Sequence, residues 1–420
     1  MNKHSKLWIL GILLLAFLLP IVSVSTEVEA EEDIINIGMT DPISSLNPIL
    51  MDATEVMLYA TSIAYDPLVS LNQDLEMVNV LAEDVSTEDN QTFTVTLRED
   101  AAWSDGEPIT ADDVIFTVKK TTSRDLANPS QSTWAVIEGF GEDGFIEEDA
   151  EDIPGMIKED DRTVVFKTKH PMPLVSFENT FLRYLFPVPY HILGDKDTNT
   201  LKTDPWFLAP EVVSGPYFPT SFDSNHYVTY EANENYWRGA PEIEKVNIQI
   251  LQASQMLTAL QSGEIDLVQQ TTATIPQADY EAIEALDNIE VHYGQPVTNQ
   301  LTFINTEKID DVKVRQAILY AIDRDLLLEQ LLRGKGEVTD GFTTSASPYY
   351  DDSFEVVPYD PDKARSLLEE SDWDSSQPLL YKINSGDPTL VQGVNVIAQQ
   401  LADVGIQVDI QTLDIGNLLI

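Results

Sequence analysis

The sequence predicts an α/β protein built in at least two lobes. Three observations lead there. Apolar residues alternate with polar ones in short segments, and these segments recur between others whose apolar residues fall at helical spacing. The 420 residues are more than one hydrophobic core commonly serves. The 43% hydrophobic residues, with 15 Phe, 15 Tyr and 6 Trp, supply enough apolar surface for cores and argue against a disordered chain.

The elements follow in order. Ile35, Ile37 and Met39 alternate with Asn36 and Gly38, which predicts a first strand; a Pro-containing loop, Asp41 to Pro48, comes next, then a short helix over Met57–Tyr65. Phe93, Val95 and Leu97 predict another strand. Thr110-Ala111-Asp112-Asp113 fits an acidic capping box opening a helix that carries Val114, Ile115 and Val118 on one face. Residues 138–161 are rich in Gly and acid and read as an exposed loop before a strand at Thr163–Thr168. A second α/β stretch begins near Asp204: strands at Val228–Tyr230 and Val246–Ile250, then a helix through Ala253, Met256, Leu257 and Leu260 that stops at Gly263. From Leu301 the pattern repeats as a strand and a helix carrying Val314, Ala317, Ile318 and Ala321, and a further helix ends at Gly334. Asp360 caps a helix with Pro361 in its first turn; Val394–Val404 is helical and stopped by Gly405; Ile406, Val408 and Ile410 form a strand.

Charge and the chain's beginning narrow the function. Lys+Arg number 24 and Asp+Glu 71, a net charge of -47. Such a chain repels phosphate backbones, so nucleic acid is excluded as a partner, and it repels anionic lipid. The acid runs through every region, which reads as adaptation to a saline or alkaline habitat. Lys3 and Lys6, the apolar stretch Leu7–Val24 broken by Pro20, and Val28-Glu29-Ala30 predict a signal peptide over residues 1–30, with a retained anchor as the other reading. There is no cysteine, hence no disulfide, thiolate site, catalytic thiol or lipid-bearing Cys.

The ordered blocks of residues say more. Leu81-Ala82-Glu83, then Phe93 to Arg98, then Trp103-Ser104-Asp105-Gly106-Glu107-Pro108 through Val114 strongly resemble the signature of family 5 extracellular solute-binding proteins, the oligopeptide-, dipeptide- and nickel-binding receptors of ABC importers. Tyr65-Asp66-Pro67-Leu68, Ser214-Gly215-Pro216-Tyr217, Asn233 to Trp237, Ser262 to Asp266, Phe303 to Thr306, Val314 to Ala317, Ala321 to Arg324 and Tyr359-Asp360-Pro361 follow in the family's order. The resemblance implies a periplasmic-binding-protein-like α/β fold of the class II type, with a hinge, a ligand cleft and an extra inserted lobe. It places lobe I at 31–66 plus 204–295, lobe II at 67–203 and lobe III at 296–420, with the ligand in the cleft between lobes I and III. The segment 405–414 resembles a strand midway through the family's third lobe, so lobe III is expected to be incomplete. The implied function is to bind a small solute, an oligopeptide or similar, as a monomer and to deliver it to ABC permease subunits, without cofactor or catalysis. Two departures stand out: Asp372 replaces a Gly common in the family, and Leu390 to Val394 lacks the Arg with which dipeptide receptors hold a ligand carboxylate.

His4, His170, His191, His226 and His292 have no metal-pair spacing, and the acidic run 147–152 lacks the EF-hand pattern, so no metal site is expected. There is no G-x-S-x-G motif and no P-loop. Trp237 reads as core, while Trp134 reads as core or as a face of the ligand cleft. Asn47 and Asp52 after the first strand, Thr298, Asn299 and Gln300 beyond the hinge, and Ser385 with Asp387 in a turn read either as ligand contacts or as satisfied loop polar groups. Two other functions stay open on residues alone: a secreted hydrolase of peptide or oligosaccharide, and a receptor feeding signalling.

Overall fold

The structure, a computed structural model, describes residues 33–50, 55–126, 128, 131–146, 152–269, 275–294, 297–347, 349–353, 355–384 and 388–413. The proposed signal segment, Asp52, Ser385, Asp387, residues 147–151 and everything beyond 413 lie outside them. The strands in chain order are β1 (Ile34–Met39), β2 (Val69–Leu71), β3 (Met77–Asn79), β4 (Ala82–Ser86), β5 (Thr92–Leu97), β6 (Met156–Lys158), β7 (Thr163–Lys167), β8 (Tyr217–Asp223), β9 (Tyr227–Ala232), β10 (Lys245–Ile250), β11 (Leu267–Val268), β12 (Leu379–Asn384) and β13 (Val408–Leu413). The helices are α1 (Glu55–Ala64), α2 (Ala111–Thr121), α3 (Leu174–Thr180), α4 (Tyr190–Leu193), α5 (Thr198–Lys202), α6 (Met256–Ser262), α7 (Tyr280–Glu284), α8 (Val312–Ala321), α9 (Arg324–Leu332), α10 (Pro361–Glu369) and α11 (Pro388–Asp403). Among the described residues no helix is long and apolar enough to cross a membrane.

A five-stranded sheet of order β11-β1-β10-β9-β8 joins the start of the chain to residues 217–268. In it β1 runs parallel to β10 and β11, so the first strand is interior, with Ile37 and Gly38 flanked on both sides and Met39 paired to Ile250 of β10. A four-stranded antiparallel sheet, β4-β5-β7-β6, is formed by residues 82–167. Phe93, Val95 and Leu97 of β5 all point to its buried face, as period-2 alternation requires. The ring of Phe177 from α3 stacks on Phe93 at 4.1 Å and meets Phe166 edge-on at 5.4 Å. One core runs without a break from Met39 through these aromatics to Tyr230 and Ile248, so the two sheets share their interior.

Family-like motifs act as joints in this core. Gly215 packs against α1: a Cβ there would lie 2.6 Å from the Ala64 carbonyl carbon, so only glycine fits. Its N–H donates to the Ala64 carbonyl at 2.9 Å, and Ser214 Oγ accepts from the Asp66 N–H at 2.9 Å. Asp66 is buried, and its carboxylate accepts from Trp237 Nε1 at 2.9 Å and Tyr236 OH at 3.0 Å. Trp237, read from sequence as core, is only partly buried and works through its N–H.

The remaining chain has its own small core: Val314, Ala317, Ile318, Ala321, Ala364, Leu367, Leu401, Val404 and Ile406. α8 packs on α10, whose Asp360 cap accepts from the Lys363 N–H at 2.8 Å. β12 and β13 pair in parallel as a two-stranded sheet. The strand expected from Leu301 does not form. Residues 301–305 have no ladder partner among the described residues, Phe303 is 83% exposed, and the segment touches β12 through Thr302 Oγ1 and Tyr381 OH at 2.6 Å. α11 starts at Pro388, earlier than the periodicity suggested, and Gly405, at φ +99°, ends the turn that follows it.

Candidate functional site

A cavity of about 290 Å³ opens beside Trp134. Four segments build it. Pro48 comes from the loop after β1; Thr117 and Thr121 come from α2, four residues apart and hence on one face; Thr133 and Trp134 come from a 3-10 turn; Asn179 to Phe181 and Tyr184 to Phe186 come from the end of α3 onward.

Each wall is pinned by buried hydrogen bonds. Asn47 donates from Nδ2 to the Leu201 carbonyl at 2.9 Å and accepts at Oδ1 from the Ile49 N–H at 3.0 Å. Asn128 donates to the Ile49 carbonyl at 3.0 Å, holding the same loop from the other side. On α2, Thr117 Oγ1 donates to the Asp113 carbonyl at 2.7 Å and accepts from the Val188 N–H at 2.9 Å. Asp113 Oδ1 accepts from the Tyr190 N–H at 2.8 Å, while Oδ2 accepts from the Thr110 N–H at 2.7 Å. Burial pushes the Asp113 carboxyl above its ordinary range, against the pull of these hydrogen bonds. Asp113, which closes the capping box of α2, and Thr117 one turn on therefore also fix the segment 188–190 behind the cavity.

The Trp134 ring is buried against Phe181 at 5.0 Å and Phe140 at 5.8 Å and presents to the cavity what remains. It is core and cavity wall at once. Arg183 lies beside two lining side chains: its Nη1 donates to Asn179 Oδ1 at 3.3 Å and to Tyr184 OH at 3.4 Å, and its guanidinium sits 5.2 Å over the Tyr184 ring. Glu178, beside Asn179 in sequence, is not a lining residue, and burial raises its pKa. A second depression of similar volume, about 290 Å³, lies among Glu83, Arg98, Glu99 and Asp100. There Arg98 is already paired with Asp100 at 2.9 Å, and the walls are those of a solvated surface groove.

Of the residues singled out in the sequence, Trp134 lines the cavity. Asn47 is next to it, but its amide is engaged in holding the loop, so it supports Pro48 instead of offering itself to a ligand. Thr298 and Gln300 are exposed and Asn299 is half-buried, all outside the lining. Asp52 and Ser385 lie outside the described residues. Sequence reasoning missed the threonines of α2 because it followed the apolar face of that helix; Thr117 and Thr121 at i and i+4 were the available signal. Among the described residues no group of three or more His, Asp or Glu is arranged to hold a metal ion.

Comparison with known proteins bears on this geometry. The profile of the bacterial extracellular solute-binding proteins, family 5, matches residues 76–418. The nickel-binding periplasmic protein of Escherichia coli K12 is 25% identical over 380 residues, covering 88% of this chain and 68% of its own length. The oligopeptide-binding protein AppA of Bacillus subtilis 168 is 25% identical over 373 residues, covering 84% of this chain and 64% of its own length. The chain thus spans about two thirds of these relatives. Among solved structures, the ABC transporter substrate binding protein CtaP of Listeria monocytogenes superposes with a TM-score of 0.75 at 27% identity, covering 93% of this chain and 75% of that one.

Proposed function

The chain belongs to the bacterial extracellular solute-binding proteins of family 5, and from that premise we propose that it binds a peptide or similar small solute outside the cytoplasm and hands it to an ABC permease. The observation that carries the reading is the family match over residues 76–418, which holds every described wall of the Trp134 cavity except Pro48. Both the peptide-binding and the nickel-binding relatives are binding proteins, which supports a receptor without catalysis. The three-lobe division at 31–66 plus 204–295, 67–203 and 296–420 belongs to this proposal, with solute entering a cleft that closes by a hinge. So does export by the N-terminal segment without lipidation, since the chain holds no Cys to carry a thioether-linked lipid. Action as a monomer completes it.

Mass spectrometry of solute released from the purified protein, followed by calorimetric titration with defined peptides, tests the binding step. Saturable binding with intact peptide recovered afterwards supports a receptor. Steady conversion of peptide to fragments would place the protein among hydrolases and overturn the reading.

A further inference from the structure

We propose that the Trp134 cavity is a subsite for one uncharged, apolar or aromatic group of the solute, and that it rejects cationic groups. This rests on the receptor reading above and names the chemistry that the site selects.

The charge of the lining carries the argument. Charged residues make up 23% of the chain, yet among the described residues the cavity wall contains no Asp, Glu, Lys or Arg. The apolar surface comes from Trp134, Phe181, Leu185, Phe186 and Pro48. The polar surface is neutral, and the Thr117 hydroxyl is already spent on Asp113 and Val188. An ammonium or guanidinium entering here would lose its hydration and meet no carboxylate, which is costly. The charge that touches the lining has the wrong sign for a cation, since Arg183 holds Asn179 and Tyr184.

Size points the same way. At about 290 Å³ the cavity is at the lower edge of the roughly 300–1,000 Å³ of small-molecule sites, so it takes a single side-chain-sized group, not a whole peptide. The molecule's net charge of -47 attracts cations from a distance, so rejection has to come from the local wall. Salt screens the distant field and leaves the cost of desolvation, so preference for the neutral group should grow as salt is raised.

Tripeptides of alanine with one residue varied among Phe, Leu, Lys and Glu, the variable residue walked through all three positions, provide the probe. Calorimetric titration of the wild-type chain should show Phe bound at least about tenfold more tightly than Lys in the best register. Thr133→Glu, which places a carboxylate on the wall, should narrow or reverse that ratio while Phe weakens. Lys bound as tightly as Phe in every register of the wild type overturns the subsite and leaves the receptor reading standing. If none of the tripeptides binds, the peptide reading fails instead. Cyclohexylmethanol against cyclohexylmethylamine, neither of which fluoresces, followed by tryptophan fluorescence, then tests the wall by itself: a response to the amine at concentrations as low as for the alcohol overturns charge rejection, and a response to the alcohol alone upholds it. The wild-type ratios decide the matter even should Thr133→Glu fold poorly.

Discussion

Residues 33–294 and residues 297–413 follow the same alternating sequence patterns and reach different degrees of burial. The first part buries Trp103, Tyr65, Tyr230 and Phe93 completely, in a core continuous across two sheets. Among the described residues the second has one cluster of nine buried hydrophobics and not one aromatic among them. It leaves Phe303 and Phe342 more than 80% exposed. The physical difference is partnership. In the first part β1 and β5 are interior strands, whereas β12 and β13 pair only with each other among the described residues. A two-stranded parallel sheet is a marginal structure unless helices cover it. The two parts meet through polar contacts: Arg333 Nη1 lies 3.1 Å from Glu281 of α7, and Lys335 Nζ lies 3.8 Å over the ring of Tyr293, whose hydroxyl donates to Glu284. Such a contact leaves relative motion possible.

The largest expected effect is in the first core. Phe177→Ala removes the ring that touches Phe93, Phe166 and Phe181 and should cost about 3–5 kcal/mol. Scanning calorimetry should show the main transition fall while a smaller one, from the second part, stays in place. A single transition that moves as a whole would mean that the two parts are thermodynamically one. Leu401→Ala makes the converse test. It empties part of the small core at a cost of about 2–4 kcal/mol and should lower the minor transition alone.

Asp66 sharpens the comparison through pH. Burial raises its carboxyl from 3.8 to about 6, against hydrogen bonds from Trp237 and Tyr236 and the charge of Arg238. The folded state then holds this proton more tightly than the unfolded chain. Its contribution is complete below pH 3.8 and is lost as pH rises through about 6. Relative to Asp66→Asn, the wild type should lose on the order of 2–3 kcal/mol across that window and run parallel above it. Urea midpoints of both proteins at steps of pH measure this, and parallel curves throughout would remove Asp66 from the account.

The smallest effect in stability is at the polar contact. Arg333→Gln with Lys335→Gln should change unfolding free energy by less than about 1 kcal/mol, since the pair is exposed. The distance between spin labels at Thr203→Cys and Ser375→Cys should nevertheless broaden, and the unaltered contact should broaden likewise in high salt. No native Cys interferes with the labels. An unchanged distance distribution would assign the joint to other contacts.

The sequence by itself determined what depends on near neighbours: the period-2 strand β5, the capped helices α2 and α10, the stop at Gly405, and the order of family blocks that identified the fold. Those signals act over one or two turns of chain, so they are visible without a partner. The tertiary structure decided everything that needs a partner far along the chain. Residues 301–305 have strand character and no strand, because alternation alone does not supply an edge to pair with. Asp66 reads from sequence only as one residue of a family block, and folding alone brings Tyr236 and Trp237, 170 and 171 residues away, onto its carboxylate. The cavity was legible only at Trp134. Its other described walls come from Pro48 to Phe186, and what they share, uncharged side chains in an acidic chain, exists only once folding has brought them together.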